Sequence, residues 1–135
     1  PAQKAGATLE PVEAAVSPCE GLTVTGPVGS PAECALVVET EQGPVLIVGC
    51  AHAGVVEMVR AASDAVGRPI TAVLGGFHLM SHSAGQVDRI VQELKELGVQ
   101  RCGPAHCTGE AAIARITAGF GAGAVQMGVG AVVIF

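Results

Sequence analysis

With 135 residues, half of them hydrophobic but without Trp or Tyr and with only three Phe, the chain is long enough for one core built of Val, Ile, Leu and Ala. Seven basic residues against twelve acidic give a net charge of −5, and no Lys or Arg clusters, which argues against a nucleic-acid surface driven by counterion release. No apolar run approaches the roughly 18–20 residues of a membrane span, residues 1–20 lack the basic start and apolar stretch of a signal peptide, and five cysteines without framework spacing fit a reducing cytoplasm.

Residues 1–21 hold Pro1, Pro11 and Pro18 without a sustained period and read as an irregular arm, with one short strand near Val12. "GLTVTGPV" predicts a brief strand over 22–25, stopped by Gly26-Pro27. "CALVVET" and "PVLIVGC" are β-branched runs separated by "EQG", the pattern of an antiparallel hairpin. After Gly54 the period changes: Val55, Val59, Ala62 and Val66 fall on one helical face, and "GRP" ends that helix.

"ITAVLGG" reads as a buried strand. Ser83 with Gln86 predicts a capping box for a helix whose apolar stripe is Val87, Ile90, Val91, Leu94 and Leu97, closed by Gly98. "VQRCGPA" is a short strand, Thr108 is placed to cap a helix running to about Ala118, and "AVQMGVGAVVIF" finishes as one or two strands. The order is a β-hairpin followed by alternating α and β elements, an α/β pattern in which helices must cover a sheet. The glycines of "GAGAVQMG" follow a helix instead of opening one, so a phosphate-cradling loop fails on context.

Three of the four histidines fall where a strand gives way to something else. Cys50 and His52 follow "VLIVG", His78 follows "AVLGGF", and His106 and Cys107 follow "RCGPA", each beside a glycine or proline. Residues just past strand ends gather on one edge of a layered α/β sheet, where such folds place their sites. Imidazole suits zinc, iron and manganese, and a thiolate biases the choice toward zinc or iron. A histidine after a strand is also, in many proteins, simply a hydrogen-bonded structural residue. A thiol nucleophile is a competing chemistry, with Cys50 or Cys107 attacking and His52 or His106 as base, although no acidic orienting residue is evident in the sequence. His82, in "MSHSAG", reads as solvated, and Cys19, Cys34 and Cys102 read as small apolar fillers.

The runs "ALVVETEQGPVLIVGCAHAGVVEMVRAA", "AVLGGFHL", "IVQELKELGV" and "PAHCTGEAAIARI" resemble the C-terminal half of a metallo-β-lactamase-fold metal-dependent hydrolase. The resemblance is to the dihydropterin (ribofuranosylaminobenzene phosphate) synthase-like branch and covers about residues 22–135, with G-C-x-H-x-G, G-G-F-H-L and H-C-T-G in order. It implies half of an αββα sandwich with a divalent metal at one sheet edge, zinc first and iron or manganese next. It also implies His106, His52, Cys50 and His78 as metal-site residues, and a metal-activated water attacking an ester or phosphoester-type bond of a small-molecule substrate.

The family's H-x-H-x-D-H motif does not occur in these 135 residues. Three arrangements follow from that: a piece of a longer enzyme, a subunit completed by a missing N-terminal half or by a second copy in a homodimer, or a non-catalytic half-domain. The last would bind metal or a small ligand and assemble through its exposed sheet.

Overall fold

The computed structural model describes residues 3–135; Pro1 and Ala2, the first two residues of the arm, lie outside the described residues. Six strands form one sheet in chain order: β1 (Val16–Cys19), β2 (Leu22–Val24), β3 (Leu36–Val38), β4 (Val45–Val48), β5 (Ala72–Gly76) and β6 (Arg101–Ala105). The "EQG" turn pairs β3 with β4 antiparallel, Val37 opposite Leu46. The strand expected near Val12 lies instead at Val16–Cys19, where it pairs with β2 as the sheet's edge.

From β4 onward the sheet is parallel, and parallel neighbours need crossover connections. Helix α1 (Val55–Val66) joins β4 to β5, α2 (Ala84–Glu96) joins β5 to β6, and α3 (Glu110–Phe120) follows β6. The α1 stripe buries Val55, Val59 and Ala62, and the helix stops at Gly67, whose φ of 69° is one glycine adopts without steric cost. The α2 stripe buries Val87, Val91 and Leu94 and begins at the expected capping box, with Gln86 Oε1 accepting the Ser83 N–H at 2.7 Å.

These stripes, with Ile116 and Phe120 of α3, share one core with Val37, Leu46, Val48, Val73 and Cys102 of the sheet. That cluster holds 22 buried residues against three in the cluster on the other face, so at about 1.5–3 kcal/mol per large side chain it dominates the stability. Among the described residues, no helix is long and apolar enough to cross a membrane.

The C-terminal stretch departs from expectation. Residues 125–135 form no strand; the backbone pairs with the sheet only at an isolated bridge, Cys102 to Ala124, where Val125 N–H donates to Cys102 O at 2.8 Å. A turn at Gly121–Gly123 and the glycines Gly128 and Gly130 interrupt any ladder. The segment works as a cover instead: Val125, Met127 and Phe135 pack on Val45, Ala72 and Leu74, and Gly103 supplies room, since a Cβ there would meet Met127 Sδ at 2.9 Å. Arg101 fastens the end, its guanidinium 4.3 Å from the Phe135 ring and its Nη1 donating to Ile134 O at 3.0 Å.

Thr108 does not cap α3. Gly109 occupies that position, and the Thr108 hydroxyl is committed elsewhere, to Ala105 O at 2.6 Å and Phe77 N–H at 3.1 Å. Cys19 and Cys34 are exposed and not fillers, because β1 is an unburied edge strand and Cys34 lies in the loop before β3. Cys102 is fully buried, as read.

Candidate metal centre at the strand-end rim

Because β4, β5 and β6 run parallel, the residues that follow them emerge at one edge of the sheet. Three non-glycine residues have φ in the left-handed region among the described residues, and all three lie there: Ala51 at 53°, His78 at 51° and His106 at 49°. Such backbone costs about 1–3 kcal/mol per residue and persists only where its surroundings impose it. Among the described residues, this strain falls at the rim where Cys50, His52, His78 and His106 lie.

Cys50, His106 and Cys107 come together there. One ligand atom from each lies within 4.8 Å of the others, with both cysteines half-buried and His106 exposed. Cys107 Sγ also approaches Cys50 O at 3.7 Å. A hydrogen bond with Cys107, then desolvation, then the charges of Cys107 and Glu33 push the Cys50 thiol above its ordinary value. Gly76 opens the space: a Cβ at that position would stand 2.5 Å from Gly49 O and 2.8 Å from Cys107 Sγ.

His52 and His78 pair with each other, ring centroids 4.5 Å apart and planes tilted by 57°, and neither joins the three-residue group. His52 is also held by Glu33, which accepts its backbone N–H at 2.5 Å and meets Nδ1 at 2.9 Å. Burial raises the Glu33 carboxyl, but the hydrogen bonds from His52 outweigh it and leave the group below the usual carboxylate value. His52, His78 and His82 line a cavity of about 380 Å³ with Phe77 and Glu57. A second cavity, of about 580 Å³, is lined by His106, Ile113, Gln126 and Met127.

The structure thus places all four sequence candidates on one rim but in two groups, Cys50 with His106, and His52 with His78. Cys107 joins the first group although it was not among the four; its signal was adjacency to His106. Glu33 had no signal, lying 19 residues before its partner in a loop.

The donor set fits a divalent metal. Two thiols and an imidazole match the preferences of zinc or iron, and three protein ligands leave a position open, as in catalytic zinc sites. Bonds of about 2.0–2.3 Å require only modest closure from the present separations.

The sheet thus carries helices on its main core face and a His/Cys group at its strand ends. The crystal structure of Tm1679, a metal-dependent hydrolase of the beta-lactamase superfamily, matches with a TM-score of 0.77 and 27% identity, over 86% of this chain and 54% of that one. In sequence, the chain is 37% identical over 78 residues to a 7,8-dihydropterin-6-methyl-4-(beta-D-ribofuranosyl)-aminobenzene-5'-phosphate synthase of Methanocaldococcus jannaschii, covering 57% of this chain and 26% of that protein. It is 36% identical over 73 residues to uncharacterized protein MJ0448 of the same organism, covering 54% of this chain and 27% of that protein. No family profile matches the sequence. The chain has the fold of the metallo-β-lactamase superfamily and is similar in sequence to its dihydropterin synthase-like branch; it spans about a quarter of the length of these curated relatives.

Proposed function

We propose that this chain contributes the strand-end rim of a metal-dependent hydrolase site, with Cys50, His106 and Cys107 as donors to one divalent cation, zinc in first place. The observation that carries this reading is the mutual approach of those three ligand atoms within 4.8 Å, Cys50 from the end of β4 and His106 and Cys107 from the end of β6. When bound, such a cation supplies Lewis acidity toward an ester or phosphoester. The chain's own part is positional. Left-handed backbone at Ala51 and His106 aims the donors, Gly76 keeps the floor open, and the two flanking cavities receive the rest of a small substrate.

Elemental analysis after zinc loading and desalting tests this directly. One equivalent of zinc, lost in His106→Ala, is the expected result; metal-free wild type under those conditions ends the reading. A screen of ester and phosphoester substrates with added zinc or manganese then asks for turnover.

A second reading, a non-catalytic half-domain that binds metal and assembles through its sheet, is favoured by apolar side chains left in solvent. On the sheet itself, Ile47 of β4 is 41% exposed and Val16 of the edge strand β1 is 46% exposed. Zinc binding without turnover, together with a dimer mass in solution at micromolar concentration, selects that reading.

A further inference from the structure

Glu33 stands in the loop between β2 and β3, far in sequence from the rim, and its backbone is pinned there. Its N–H donates to Val28 O at 3.0 Å, and its carbonyl accepts the Val28 N–H at 2.9 Å. From that anchor the carboxylate reaches His52 twice, at the backbone N–H and at Nδ1. The first contact fixes where the residue sits, and the second fixes how its ring is turned.

An ionised carboxylate can only accept hydrogen bonds. The proton of a neutral His52 therefore sits on Nδ1, and the lone pair sits on Nε2. Metal-ligating histidines depend on such a partner at the other ring nitrogen, which sets the tautomer and raises the basicity of the ligating one. A carboxylate that only capped the loop would need the backbone contact alone. The contact at Nδ1 is the feature that loop capping leaves unexplained.

We propose that Glu33 is a positioning residue that holds His52 as the Nδ1–H tautomer and so presents Nε2 as a ligand for a divalent cation at the rim. The inference rests on the metal-site reading above and adds to it, as a further imidazole donor, a residue that stands outside the group of Cys50, His106 and Cys107 here, its ring 4.5 Å from that of His78 on the same edge.

The test has two readouts on the full 135-residue chain. Long-range proton–nitrogen NMR of the histidine rings, without metal, gives the His52 tautomer. Titration with Zn²⁺ against a competing chelator gives affinity. The wild type is expected to show Nδ1–H, and Glu33→Gln, which removes the charge and can turn an N–H toward Nδ1, is expected to populate Nε2–H. Zinc affinity in that variant is expected to fall about 10–100-fold, with Glu33→Asp recovering part of it.

A wild-type His52 in the Nε2–H form, or zinc affinity unchanged in Glu33→Gln, overturns the role of Glu33. His106→Ala separates the two readings: its loss of zinc leaves the metal site standing even when Glu33 proves inert. A wild type that takes up no zinc defeats the metal site itself and the ligand role of His52 with it, whatever tautomer is seen.

Discussion

The hydroxyl of Thr108 accepts the Phe77 N–H at 3.1 Å and donates to Ala105 O at 2.6 Å, so one buried side chain ties the end of β5 to the turn after β6. Phe77 precedes His78, and Thr108 follows Cys107. The distance between the two halves of the rim is therefore set by a hydrogen bond between their neighbours, and not by the candidate ligands themselves.

Replacing Thr108 with Val keeps the shape and removes that tie. The Phe77 N–H is then left buried without a partner, which costs about 1–3 kcal/mol. Urea unfolding is expected to show a loss of that size for Thr108→Val and a smaller one for Thr108→Ser, which retains the hydroxyl.

Gly76 and Gly85 make a matched pair. A Cβ at Gly76 would press on Gly49 O and Cys107 Sγ, whereas one at Gly85 in α2 would meet nothing within 4 Å. Overpacking against backbone costs about 1–3 kcal/mol, while Gly to Ala in an exposed helix gains about 0.5–1. Gly76→Ala is expected to lower the melting temperature and weaken zinc binding by displacing Cys107; Gly85→Ala is expected to raise the melting temperature and leave zinc binding alone.

Much of this was legible in the sequence because periodicity reports burial. The stripes Val55–Val59–Ala62 and Val87–Val91–Leu94 and the order β4-α1-β5-α2-β6 follow from spacing alone. That order also places Cys50, His52, His78 and His106 on one edge, since parallel strands share a direction. What spacing does not encode is the grouping along that edge. Cys50 and His52 are two residues apart, yet the left-handed turn at Ala51 intervenes; Cys50 faces His106 and His52 faces His78. The tail misled for a related reason: Val125 and Met127 alternate like a strand because they cover a sheet face, without joining its ladder.

Buried Cys102 gives a pH signature. Desolvation pushes its thiol up to about 12 from an ordinary value of 9.0. The folded chain thus holds this proton over a window in which the unfolded chain has lost it. Stability from this group is complete below about pH 9 and falls as pH rises toward 12. Cys102→Ala is expected to flatten that part of the stability profile relative to wild type. Native-state alkylation is expected to label Cys19 and Cys34 and to spare Cys102 until the chain unfolds.

Asp88 and Arg115 join α2 to α3 through two bonds, Nε to Oδ1 at 2.9 Å and Nη2 to Oδ2 at 2.6 Å. The hydrogen bond from Arg115 holds the Asp88 carboxyl below its ordinary 3.8, outweighing desolvation. Its contribution is therefore present above that value and lost as pH falls through the depressed one. Both side chains are open to solvent, so the effect is small and screened by salt. Asp88→Asn is expected to lower the melting temperature slightly at pH 7 and to match wild type near pH 2.

Zinc itself supplies the strongest test of the rim, because a ligand that binds only the folded chain stabilises it by mass action. At a free concentration one hundred times the dissociation constant the gain is about 2.7 kcal/mol, several degrees for a domain of this size. Thermal unfolding with excess Zn²⁺ is expected to show that rise, and EDTA to reverse it. Cys50→Ala, His106→Ala and Cys107→Ala are each expected to abolish most of the shift, since each removes one of the three donors. Cys34→Ala removes an exposed thiol outside the group and is expected to leave the shift intact. A shift that survives all three rim substitutions would place the zinc somewhere other than the strand ends.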